Sequence, residues 1–445
     1  MKRIYEKDLT AWYDSVDRKP MILRGARQVG KSTLVRLFAK NRELDLVEIN
    51  LEKKQFAALK SKQFEIQNWI IEIEAIAKKK IHKKSLIFID EIQAQVKSIS
   101  MLRYFYEERP DIAIICAGSL LEISLHQEEV SFPVGRVSFM WIGPMTFGEY
   151  LMASGSSDLY TRILENNLLE LHHPILLEEL KRYYFVGGMP KSVLTYIETK
   201  SFIAVREIQE EIIQTYQADF PKYGKRINTD RLTAVFKQLS FHLGRKLIYQ
   251  HLDRESKSVE IKKCVELLIK ANIIVATYHT DATGLPLKSQ IDLNTFKIYF
   301  LDIGLVNCLH DFSWDGFSKI FDETFSTKGF LAEQFVAQHL AYQLKIKSPP
   351  ELLYWLRDKN INKAEIDFLT SGDGEIFPME VKSQSGGKLK SLKVFAEEKN
   401  CKKAFKLCKN WFANEKLQLA GGKSLELDSI PLYAIEGLIH QRLKK

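Results

Sequence analysis

Met21-Ile22-Leu23-Arg24-Gly25-Ala26-Arg27-Gln28-Val29-Gly30-Lys31-Ser32-Thr33 is the stretch on which the fold turns. A short apolar run leads into the pattern GxxxxGK[ST], from Gly25 to Ser32, and a helical pattern runs on from Lys31 to Lys40. A strand before the glycine loop and a helix after it are the context this motif requires. Gly25 and Gly30 let the backbone turn tightly, so that N–H groups along Gly25 to Thr33 face an anion. The helix beginning near Lys31 adds the positive end of its dipole to the same anion. Lys31 suits the outer phosphates of a nucleotide, and the Ser32 hydroxyl suits Mg²⁺. ATP and Mg²⁺ are the expected ligands, and Gly25 to Thr33 the expected nucleotide-binding residues.

Further apolar runs follow at Leu46–Asn50, Leu86–Ile89, Ile112–Cys116 and Phe139–Ile142. Alternating with helical patterns, they predict a parallel α/β sheet over the first 154 residues. Asp90 ends one of these runs, where a carboxylate can hold Mg²⁺ through water. Glu91 comes next, placed to polarise an attacking water as general base. Ser119, beyond the Ile112–Cys116 run, reads equally as a γ-phosphate sensor or as an ordinary strand-end turn. Arg136 reads as a phosphate contact, in cis or to a neighbouring subunit, or as a solvated arginine; alone it does not establish a ring.

These residues resemble the AAA-type ATPases of bacteria and archaea that carry a C-terminal domain of unknown function. Arg24 to Ser32, Asp90-Glu91-Ile92-Gln93, Ala117-Gly118-Ser119 and Gly135-Arg136 carry the likeness. Gly187-Gly188-Met189-Pro190 is similar to that family's GG-x-P element, and Tyr299 to Leu305 to its aromatic-x-Asp-x-Gly-Leu segment. The resemblance implies a P-loop NTPase parallel sheet, a winged-helix-like middle and a nuclease-like end. The expected divisions are an ATPase core at 1–154, a helical lid at 155–225, a winged-helix-like domain at 226–312 and a restriction-endonuclease-like α/β domain at 313–445.

In the middle segment, helices are expected at Arg231–Leu243, Lys246–Leu252 and Ser258–Lys270, the last with Ile261, Cys264, Val265 and Leu268 on one face. Ile273–His279 and Lys297–Leu301 would pair as the wing. Lys257, Lys262, Lys263 and Lys270 would suit DNA, whereas Glu255, Glu260 and Glu266 would repel it, so packing and DNA contact stay open. In the last third, Asp367 and Glu380-Val381-Lys382 lie on two expected strands joined by a turn at Gly374. Asp367 and Glu380 would converge on a divalent metal and Lys382 would activate water for phosphodiester cleavage. Glu333, on an expected amphipathic helix from Phe330 to Leu344, would add a carboxylate. This D-(x)n-E-x-K pattern resembles the restriction-endonuclease-like superfamily. The alternative is an inactive relative whose charges are solvated or salt-bridged. Lys388, Lys390 and Lys393 would suit a phosphate backbone or a solvated helix face.

With 445 residues, 45% of them hydrophobic and 27% charged, the chain reads as a soluble protein of several domains. No apolar run is long enough to span a bilayer, and residues 1–8 carry no signal-peptide pattern. Five scattered cysteines without a CxxC pair fit a reducing interior, so a cytoplasmic protein with no membrane partner is expected. A net charge of +9 permits a polyanionic partner such as DNA without demonstrating one, and leaves a homo-oligomer open.

Overall fold

The computed structural model describes residues 1–53, 65–127, 132–224, 227–253, 255–323, 329–357, 363–382 and 389–443. Lys388 lies outside them. Five strands form the first sheet: β1 (Met21–Arg24), β2 (Asp45–Asn50), β3 (Ser85–Asp90), β4 (Ala113–Ala117) and β5 (Ser138–Trp141). All neighbours are parallel, in the order β2-β3-β4-β1-β5. Strand periodicity divides their side chains between two buried faces. Met21, Leu23, Leu86 and Phe88 enter one core, Ile22, Ile87, Ile89 and Ile114 the other. Burial on both sides explains why β3 and β4 read as unbroken apolar runs.

A helical layer follows: Ser157–Glu165, His172–Val186, Pro190–Thr199 and Phe202–Asp219. Pro190 opens its helix at the first turn, where a missing N–H costs nothing. The middle segment has helices at Thr229–Leu239 and Ser258–Lys270, the latter burying Ile261, Cys264, Val265 and Leu268 as its spacing predicts. The helix expected at 246–252 is only a single 3-10 turn, Tyr249–His251.

The two segments expected to pair do so as β6 (Ile274–Thr280) and β7 (Ile291–Phe300), but they are not a free hairpin. β6 pairs in parallel with β8 (Leu352–Arg357), which leads through β9 (Ala364–Gly372), β10 (Glu375–Val381), β11 (Lys403–Cys408), β12 (Ala413–Gln418) and β13 (Ser424–Pro431) into one mixed sheet. Its order is β12-β13-β11-β10-β9-β8-β6-β7, so hydrogen bonds cross the division expected at residue 312. Asp373 and Gly374, both at positive φ, make the tight β9–β10 turn.

The helix Gly329–Gln343 packs against β7, β8 and β10. It was expected to be amphipathic; instead Gln334, Gln338 and His339 are buried with its apolar side chains. Each is satisfied. Gln334 bonds both Phe300 N and Phe300 O, Gln338 accepts from Ile303 N, and His339 Nε2 accepts from Phe147 N. One apolar core continues from Tyr5 through the helical layer to Leu443. Among the described residues, no helix is long and apolar enough to cross a membrane.

Candidate functional site

The parallel strands deliver the loop 25–30 and residues 90–91 to one edge of the first sheet, as an open α/β sheet does at its carboxyl ends. Gly25 has φ +133, and a Cβ there would come within 2.1 Å of Ile142 O, so only glycine fits. Gly30, at φ 90, caps the helix Lys31–Asn41. A cavity of about 590 Å³ opens above that helix, lined by Arg27, Gln28, Gly30, Lys31, Ser32 and Thr33 together with Asp90, Glu91 and Ser119. Gly25, Ala26 and Val29 do not line it. Gly25 O and Ala26 O accept from Lys31 Nζ at 2.9 and 2.7 Å, and Val29 O accepts from Arg3.

Burial pushes the Lys31 ammonium down to about 8, against the pull of Glu91 and Asp90. Ser32 Oγ donates to Asp90 Oδ2 at 2.8 Å, bringing together the two oxygens expected at Mg²⁺. Burial raises the Asp90 carboxyl above its usual range, a cost a cation would offset. Glu91 holds a left-handed backbone, φ 53, uncommon for a non-glycine residue, and its carboxylate is held by Gln93 Nε2. Ser119 Oγ is buried beside the cavity without a hydrogen-bond partner among the described residues.

Arg136 is not brought to this site. It precedes β5, at the amino ends of the parallel strands, whereas the loop follows their carboxyl ends; its side chain is 45% exposed and paired to Glu107. The cis phosphate contact is therefore corrected, because the length of the adjacent strands β1 and β5 intervenes. Sequence reading missed Arg3, which ties Val29 O and Gly143 O to Glu149. It also missed the facing wall: Pro190, Lys191, Leu194 and Thr215 line the same cavity. Arg27 Nε lies 2.5 Å from Asp219 Oδ2, and Tyr216 donates to Arg27 O, fastening the loop to the helix Phe202–Asp219. Nothing local in residues 1–8 marks Arg3; only the folded contact does.

The second expected constellation also assembles. Asp367 Oδ2 accepts from Val381 N at 2.7 Å, and Glu380 Oε1 pairs with Lys382. Glu380 Oε2 is buried without a partner among the described residues. Glu333 accepts from Tyr299 OH at 2.8 Å. Lys297, from β7 and only 1% exposed, pairs with Glu365; no sequence signal singled it out. Burial and then the Asp367 charge push Glu333 and Glu380 each up to about 8. Burial alone would lower Lys297, but Glu333, Asp367 and Glu365 hold it above its usual range. Among the described residues no three His, Cys, Asp or Glu side chains are arranged as metal ligands. Glu333 lies close enough to Asp367 and Glu380 to feel their charge, and its carboxylate accepts from Tyr299.

Residues 17–151 match the family described as "AAA domain". That stretch, under half of the chain, is similar to an AAA domain. Two more families, each described as a domain of unknown function, match residues 177–316 (DUF8612) and 328–424 (DUF4143). No curated protein matches. Solved structures with some likeness include the Aeropyrum pernix ORC2 protein, at 12% identity over 70% of this chain and 94% of that chain, TM-score 0.38. The Thermotoga maritima RuvB Holliday junction branch migration motor follows at 15% over 60% and 87%, TM-score 0.29. The Aeropyrum pernix ORC1 protein in complex with DNA stands at 10% over 70% and 93%, TM-score 0.30. Likeness at that level does not carry a functional argument.

Proposed function

We propose that the chain binds and hydrolyses ATP with Mg²⁺ at the 25–33 loop. The observation that carries this is the convergence of Lys31, the Ser32–Asp90 pair, Glu91 and the partnerless Ser119 hydroxyl on one cavity. The loop N–H groups and Lys31 would hold the β- and γ-phosphates, with Ser32 and, through water, Asp90 holding the cation. Mg²⁺ would neutralise charge on the outer phosphates. Glu91 would orient and deprotonate the attacking water, and Ser119 would donate to the γ-phosphate. Glu91→Gln separates these roles: nucleotide affinity should stay within about threefold of wild type while turnover falls by about 10²–10⁴-fold. An unchanged turnover removes Glu91 as the base.

A second reading concerns what hydrolysis controls. Glu380 Oε2, buried and partnerless among the described residues beside Asp367, suits a divalent cation, and Lys382 stands next to it as metal-assisted phosphodiester cleavage would require. Coupled to the ATP site, this would make the chain a DNA-processing protein. The ion pairs Lys382–Glu380 and Lys297–Glu365 favour the opposite case, a switch whose C-terminal sheet binds DNA or protein without cutting.

A further inference from the structure

Two glycine-containing segments far apart in the chain meet through one carboxylate. Asp302, wholly buried, caps the helix Ile303–Leu309 by accepting from Leu305 N at 3.1 Å through Oδ1. Its Oδ2 accepts from Gly188 N at 2.6 Å and from Gln338 Nε2 at 3.4 Å. The glycines permit this approach. A Cβ at Gly187, where φ is +74, would lie 2.3 Å from Asp302 Oδ1, and one at Gly304 would lie 2.7 Å from Val186 O. A Cβ at Gly188 would lie 2.0 Å from Met145 O.

The other side of the same turn belongs to the nucleotide cavity. Gly188 O accepts from Met145 N at 2.6 Å, and Tyr183 OH donates to Met145 O at 2.6 Å. Met145, Pro190, Lys191 and Leu194 line that cavity, and a Cβ on Gly30 would already touch Pro190 Cγ at 3.4 Å. Asp302 meanwhile follows directly on β7, whose Tyr299 donates to Glu333 and whose Lys297 pairs with Glu365. Gln334 binds the end of this strand, at Phe300, to the helix Gly329–Gln343, and Gln338 binds the following helix there at Ile303.

We propose that Asp302 is a positioning residue for the nucleotide site: by holding the Gly187–Pro190 turn, it sets the wall of the cavity facing Gly30. It acts through that turn and does not touch nucleotide. The inference rests on the ATP-binding reading of the cavity. It further makes β7 the connection between nucleotide occupancy and the acidic cluster around Glu333 and Asp367, and such coupling is reciprocal.

Asp302→Asn replaces one acceptor by an amide that cannot accept from Gly188 N and Leu305 N together. In the full chain, the expected result is a KM for ATP raised at least ~5-fold with kcat changed less, because the wall and not the reacting groups has moved. A purely structural role would lower the unfolding temperature and leave KM of the folded protein unaltered, and that result overturns the proposal. Should Asp302→Asn not fold, hydrogen exchange of the wild-type chain with a non-hydrolysable ATP analogue decides instead. Protection should rise together at the loop 25–33, at 183–196 and at 297–306. A rise at the loop without one at 297–306 overturns this inference alone. No rise at the loop overturns the ATP-binding reading and this inference with it.

Discussion

Lys31 provides a prediction that depends on burial as well as motif. Its ammonium is desolvated and donates to Gly25 O and Ala26 O, and burial lowers its pKa to about 8 from 10.5. Polyphosphate favours the charged form, so the pKa of the nucleotide-bound lysine moves back up. Binding above about pH 8 must then take up a proton, and affinity falls about tenfold for each pH unit until the liganded pKa is reached. Below about pH 7 the lysine is charged in both states and contributes no slope. Between about pH 7 and about pH 9 the expected weakening is therefore roughly tenfold. Titration of wild-type protein with a fluorescent ATP analogue across this range measures it directly. Lys31→Arg supplies the control, because a guanidinium does not titrate here. Its affinity at neutral pH should be lower, since the larger fork does not fit the Nζ position, but the fall between pH 7 and 9 should vanish. A flat wild-type profile, or an equal fall in the arginine variant, refutes the argument that Lys31 is the titrating phosphate ligand.

Gly25→Ala places a Cβ 2.1 Å from Ile142 O at a φ of +133, so the loop must shift; thermal unfolding should show a loss of about 1–3 kcal/mol and ATP binding should weaken with it, whereas an unchanged protein means the loop is not held as described. For the C-terminal cluster, wild-type chain with Mn²⁺ or Mg²⁺ should nick DNA and Asp367→Ala should not; equal behaviour of the two on single- and double-stranded DNA excludes cleavage and leaves the binding switch.

The candidate nucleotide site was legible because its determinants are local. The glycines, Lys31 and Ser32 lie within one loop, and Asp90-Glu91 ends an apolar run whose burial on both faces is visible as sequence. The pairing of Glu365–Leu369 with Ile376–Val381 was legible for a similar reason, through alternation and the Gly374 turn. What escaped depends on distant partners. β6 joins β8 across a long interval of sequence, and no local pattern announces that pairing. Gln334, Gln338 and His339 imitate a solvated stripe, although each is buried with a backbone partner. Lys297 lies in an ordinary strand pattern, and only the sheet's arrangement brings it to Glu365. Arg136 shows the reverse: its place after Gly135 left a cis phosphate contact open beside a solvated side chain, but it precedes β5 and so falls at the amino ends of the strands, away from the loop.

The most direct test of the central claim is phosphate release by the purified full chain with ATP and Mg²⁺, run beside Lys31→Ala. The account predicts Mg²⁺-dependent release by wild type, and its loss in the variant while thermal unfolding shows both chains folded. Equal release by the two proteins, or none by a folded wild type that has bound ATP, would contradict it.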